Sequence, residues 1–280
     1  MRRELQKRSP VQIKKLKPFL DKWVERIEQR DYINEDPILF MHAFNHKEDQ
    51  LLAGFFAATM AWGRRDIVIR KVRDLLERMN NRPEEFIGNF SDDDADRFEG
   101  FKHRTFKPID MIWLTKILQS ILQEFESFEC FWNACYQKAQ QTGRPLMAVF
   151  HENFFALQSN TPKRTYKHVS NAEKKSSCKR LYLYLRWAIR KESPVDLGLM
   201  DFMPASELMV PLDVHVARQA RKLGLLSRTY NDWWAVEELT ETLRLLDPKD
   251  PAKYDYALFG LGVAEDGLPE ELIINPTLGK

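Results

Sequence analysis

The 280-residue chain has few cysteines, no long hydrophobic run and no stretch of alternating β-branched residues. Its three cysteines, Cys130, Cys135 and Cys178, form an odd set without C-x-x-C spacing. That argues against a disulfide framework and against a structural zinc site. The longest apolar run, Leu51 to Trp62, is well short of the roughly 20 residues a membrane span requires. The first residues, MRRELQKRSP, begin with charge and never reach the apolar segment of a secretory signal. A cytoplasmic protein with no membrane partner is the expectation. Among the six histidines only His42 and His46 have the i, i+4 spacing of paired helix ligands, and no glutamate follows His42, so the zinc-protease motif is missing. Neither a metal nor a cofactor is expected.

What is present is a 3.6-residue apolar rhythm, which makes the fold class all-α. Helices are expected over roughly 13–30, 37–44, 49–62, 67–79, 83–89, 110–125, 129–141, 146–156, 176–190, 214–223, 233–246 and 253–260. Asp49 ahead of an apolar run, Gly63 and Gly224 behind others, and the Asp-Pro pairs at 247–248 and 250–251 punctuate them. About twelve helices suit a two-lobed bundle, with one lobe near 45–195 and the other formed by 1–44 plus 196–280. The polar, basic stretch from Ser159 to Lys175 reads as an exposed loop.

Net charge is only +2, yet the charge is unevenly placed. Lys163, Arg164, Lys167, Lys174, Lys175, Lys179, Arg180, Arg186, Arg190 and Lys191 face a single acid, Glu173. Such an excess neutralises phosphates through counterion release, although basic clusters are often only solvated surface. On the helix from Ser176, Cys178, Leu181, Leu185 and Ala188 form a buried stripe, while Lys179, Arg186 and Arg190 fall within about 40° of one another. Cations crowded around Lys179 would disfavour its protonated form and make it a better nucleophile. Asp213 opens a further helix, closed by Gly224. Its carboxylate is suited to capping free N–H groups, a sufficient structural reason for its presence, and equally to stabilising positive charge on a sugar.

The run PLDVHVARQARKLG, Pro211 to Gly224, resembles the strongest motif of the helix-hairpin-helix DNA glycosylases, with Asp213, His215 and Arg218 matching it position by position. Leu51 to Met79 looks like the early helix pair of that superfamily and Lys253 to Val263 like its closing helix. Lys179 lies 34 residues before Asp213, which is similar to the longer lysine-to-aspartate gap of the archaeal 8-oxoguanine glycosylases. The segment Cys178 to Trp187 is similar to an uncharacterised conserved bacterial family. Two family features are missing. The glycine-rich hairpin that approaches a DNA phosphate is replaced by Asn171-Ala172-Glu173-Lys174-Lys175-Ser176-Ser177, and the cluster-binding cysteines of endonuclease III are absent, so no iron-sulfur cluster is expected.

The resemblance implies a DNA repair glycosylase and AP lyase acting on double-stranded DNA with a damaged base, an oxidised purine by analogy, or an abasic site. Lys179 and Asp213 would be catalytic. Lys174, Lys175, Arg180, Arg186, Arg190, Arg64, Arg65, His215 and Arg218 would contact DNA. Trp62, in the turn after a buried helix, and Trp187 would intercalate or line the base pocket, as extrusion of a nucleotide requires; both are equally natural core residues. The alternatives are a non-catalytic nucleic-acid-binding protein on the same scaffold and a helical protein-interaction module.

Overall fold

A computed structural model describes residues 5–264 and 267–275. They form α-helices joined by short 3-10 turns. Among them there is no strand, only the isolated bridges His103–Phe106 and Ser176–Asp232. No helix of the described residues is long and apolar enough to cross a membrane.

Helix boundaries follow capping chemistry. Ser9 and Gln12 form a capping box ahead of Pro10–Lys14; Ser127 accepts from the Cys130 N–H at the start of Phe128–Thr142; Asp232 does the same for Ala235 at the start of Trp233–Arg244. Pro83 and Pro108 occupy first-turn positions, where a missing N–H removes no bond. Gly224, at φ +67°, ends the Val214–Lys222 helix in the left-handed conformation that favours glycine, and the Ile274 side chain packs into the space a Cβ would take, 2.2 Å from Cδ1. Asp49 has a different role from the expected helix start. The helix begins at Lys47, and Asp49 Oδ1 accepts from the N–H of Glu84, 2.9 Å away, in the first turn of Pro83–Gly88.

The chain divides into two compact units. One comprises Met1–Tyr32, Ala172–Asp196 and Pro204–Lys280; the other comprises Ile33–Asn171 and Leu197–Met203. This division differs from the expected lobes: it places Lys179 and Asp213 in the first unit together and puts 33–44 in the second. The core of the first unit gathers Leu20, Trp23, Leu212, Val216, Leu239 and Leu258. In the second, the Lys47–Met60 helix is buried all round from Leu51 to Met60, as the almost wholly apolar sequence after its polar first turn dictates. Its Phe55 lies edge-on to Phe128 at 5.2 Å, and Trp132 stacks on Phe150 at 3.8 Å.

Contrary to the expected exposed loop, residues 159–175 carry the short 3-10 turns Thr165–His168 and Ala172–Lys174, and Thr165, His168, Val169 and Ala172 are buried. The anchor is the fully buried carboxylate of Asp110. It accepts from Arg164 at 3.0 and 2.8 Å, from Thr165 Oγ1 at 2.9 Å and from the N–H of Lys107 at 2.9 Å, and lies 3.3 Å from His168 Nε2. The His168 ring stacks on Phe106 at 3.7 Å. Burial alone would raise the Asp110 carboxyl, but hydrogen bonds from His168, Arg164, Lys107 and Thr165 outweigh it and hold the group well below the usual carboxylate range. A depressed carboxylate contributes stability that is complete above its unfolded pKa and is lost as pH falls towards the folded value. Asp110→Asn should therefore cost about 3 kcal/mol at neutral pH. The gap between wild type and variant, measured by denaturant titration, should narrow below about pH 4; a gap independent of pH would refute the charged anchor.

Candidate functional site

Asp213 caps the Val214–Lys222 helix through one oxygen. Oδ1 accepts from the N–H of His215 at 2.7 Å and of Val216 at 2.9 Å. No hydrogen bond to Oδ2 is formed among the described residues. The preceding segment is held by Val210 N–H donating to Thr240 Oγ1 at 3.1 Å and by burial of Pro211 and Leu212. A half-buried carboxylate with one oxygen fixed and one uncommitted is thus set at a helix start, and its neighbour Val214 is 66% exposed.

Lys179 is the first residue of the Lys179–Ile189 helix and is half-buried. Its ammonium makes no ion pair or hydrogen bond among the described residues. The turn before it contains no glycine, yet Lys175 at φ +65° and Cys178 at φ +50° both adopt the left-handed conformation. The tight reversal that glycines would make easily is made here by residues that pay in strain, about 1–3 kcal/mol each. The turn is braced from the side: the Trp233 N–H donates to Lys175 O, Ser176 bridges Asp232, and Trp233 stacks on Tyr182 with centroids 5.9 Å apart. Burial pushes the Cys178 thiol up to about 12, so it is no nucleophile.

The expected cationic face of this helix does not exist. Arg186 and Arg190 are each 2% exposed, and Trp187 is fully buried, so none of the three reaches DNA or a base. Arg186 pairs with Asp255, lies 3.5 Å from Asp196 Oδ1 and stacks its guanidinium 3.9 Å from the Tyr256 ring centroid. Arg190 pairs with Asp196, with Glu28 at 2.6 Å and with Asp250 at 3.0 Å. The crowding of cations around Lys179 is reduced accordingly, because these two guanidinium groups face buried acids. Arg180 stays half-buried, and burial lowers its guanidinium to about 10, still cationic at neutral pH.

Lys174 and Lys175 are exposed, as expected of a DNA contact. His215 and Arg218 instead turn to the Tyr254–Val263 helix: the His215 ring meets Phe259 edge-on at 6.1 Å, and Arg218 Nη2 donates to Gly262 O at 3.2 Å. Gly262 is needed for that approach, since a Cβ would stand 2.9 Å from His215 Cβ. Trp62, Arg64 and Arg65 belong to the other unit. Trp62 is half-buried beneath the Arg104 guanidinium, 5.7 Å from its centroid; Arg64 pairs with Asp66 at 2.8 Å and Arg65 lies 3.6 Å from Asp36.

Sequence reasoning missed an exposed aromatic cluster beside the Lys175 turn. Lys175, Arg228, Tyr230, Asp232 and Trp234 line a groove of ≈ 550 Å³. Tyr230 is 59% and Trp234 47% exposed, with the Arg228 guanidinium 5.1 Å and Lys175 Nζ 5.8 Å from the Trp234 ring centroid. Asp232 is neutralised by Arg228 at 2.5 Å. The signal was present as R-x-Y-x-D-W-W, residues 228–234, three aromatics behind a cation at a helix start. In the second unit, His46, Asp49 and Glu84 bring possible metal-ligand atoms within 4.8 Å of one another. Glu84 and Asp49 sit in first turns of helices, where carboxylates are favoured by the helix dipole and a cation is not, so this group is explained without a metal.

No curated protein and no solved structure matches the chain. A family described only as a protein of unknown function, DUF2400, matches residues 36–264. That span takes in the Lys179 helix, the Asp213 cap and the aromatic groove, and with most of its length covered the chain belongs to the DUF2400 family.

Proposed function

We propose that the protein is a DNA glycosylase with AP lyase activity, in which Lys179 is the nucleophile and Asp213 the charge-stabilising carboxylate. The observation that carries this reading is the presence, within one unit, of an uncommitted lysine opening one helix and of a carboxylate held through a single oxygen at the cap of another. The Lys179 amine attacks the sugar C1′ as the glycosidic bond breaks; the base leaves with the electron pair and takes up the proton that the attacking nitrogen loses, while Asp213 offsets the positive charge that develops on the sugar. Ring opening then yields an imine between Lys179 and C1′. The exposed Lys174 and Lys175, with the Trp234 groove beside them, suit a phosphate backbone and an unstacked base. An oxidised purine is the substrate class that the resemblance suggests.

Borohydride reduction of an imine gives a stable covalent adduct, so the test is trapping on duplexes carrying an abasic site or 8-oxoguanine. Wild type should form the adduct and Lys179→Ala should not, while keeping its circular dichroism and its affinity for the duplex. Tight binding without any adduct from wild type would exclude imine chemistry and leave a nucleic-acid-binding protein on this scaffold.

A further inference from the structure

The basic stretch that begins at Lys163 is split by the fold. Lys163, Arg164 and Lys167 belong to the Ile33–Asn171 unit, whereas Lys174, Lys175 and Lys179 belong to the other. Within the first of these units, the segment 161–169 is clipped onto a second basic loop, 102–107. Arg164 Nη2 donates to Thr105 O at 3.0 Å and to Asp110 at 2.8 Å, His168 stacks on Phe106, and Phe106 N–H donates to His103 O at 2.8 Å. The same loop is tied to the turn after Met60, because His103 Nε2 lies 2.9 Å from Met60 O and Arg104 covers Trp62. Gly63, at φ +101°, makes room for that cover: a Cβ there would stand 2.0 Å from Arg104 Nη2.

Lys102, Arg104, Lys107, Lys163 and Lys167 are all exposed, and none has an acidic partner among the described residues. Asp110, the carboxylate that anchors the 161–169 segment, is fully buried and already neutralised by Arg164. Like charges brought together on two loops oppose folding unless something else holds the loops, and here the buried clip does so. We propose that this surface is a second contact for the phosphate backbone of duplex DNA, independent of the Lys179 unit. The match is one of charge: five exposed cations without an acidic partner, carried on two loops that the buried clip joins, are suited to a regularly charged polyanion. The inference rests on the DNA-directed reading above but not on its chemistry.

The experiment is duplex binding by the full chain over a range of salt concentrations, comparing wild type with Lys102→Gln/Lys107→Gln/Lys163→Gln/Lys167→Gln and with Lys174→Gln/Lys175→Gln. Four lost phosphate contacts should flatten the slope of log K on log salt by about 3 to 4 and weaken binding at about 0.1 M salt by at least thirtyfold. Trapping by the quadruple variant at saturating protein should stay intact. If wild type binds and the quadruple variant matches it in slope and affinity, the surface proposal fails while the DNA reading stands. A wild type that binds heparin or anionic vesicles but no duplex would overturn both.

Discussion

Arg190→Met should destabilise the protein by about 3–5 kcal/mol, because it removes one cation from a buried cluster in which acids outnumber bases. Arg186 and Arg190 face Glu28, Asp196, Asp250 and Asp255, and Asp196 also accepts from the Tyr256 hydroxyl at 2.7 Å. Two positive groups thus hold four carboxylates. Without Arg190, Glu28 and Asp250 lose the guanidinium that compensates them, and Ser193, 2.6 Å from Glu28, cannot replace a charge. Burial already raises the Asp250 carboxyl against the opposing pull of Arg190; losing Arg190 raises it further. A carboxyl raised in the folded state costs stability as pH climbs above its unfolded value, so the deficit of Arg190→Met should be larger at pH 8 than at pH 5. Urea titrations at both pH values test this. A deficit under 1 kcal/mol, or one that grows on acidification, would show that Arg190 is not the compensating charge.

The same cluster explains where sequence reasoning failed. At 100° per residue Lys179, Arg186 and Arg190 do share a helix face, and periodicity cannot say whether that face meets water or acids. Glu28 and Asp250 reach Arg190 from 162 and 60 residues away, so the deciding partners are invisible within the helix. The 159–175 segment failed for a related reason. It lacks the large apolar residues that signal burial, and a single carboxylate, Asp110, together with one stacked histidine, replaces them. Helix ends were legible because their signals are local: Pro83, Ser127, Gly224 and Asp232 act within one turn. Asp213 was legible in the same way, which is also why its presence at a cap is by itself no evidence of chemistry.

Two substitutions separate those roles. Asp213→Asn keeps a side-chain oxygen where His215 and Val216 donate, so the cap survives and stability should change by only a few tenths of a kcal/mol. Asp213→Ala removes the acceptor and should cost about 1 kcal/mol. In the proposed glycosidic cleavage the ordering collapses, because both variants lack the negative charge that the proposal sets against the developing positive charge of the sugar. Each should lower the single-turnover rate of base excision by roughly 10²–10⁴-fold, the range associated with a positioned catalytic group. Imine formation at a pre-formed abasic site has no glycosidic bond to break, so Asp213→Asn should fall far less there than on the intact damaged nucleotide. Equal losses on the two substrates would assign Asp213 to imine formation itself, and an Asn variant as active as wild type would reduce Asp213 to a helix cap.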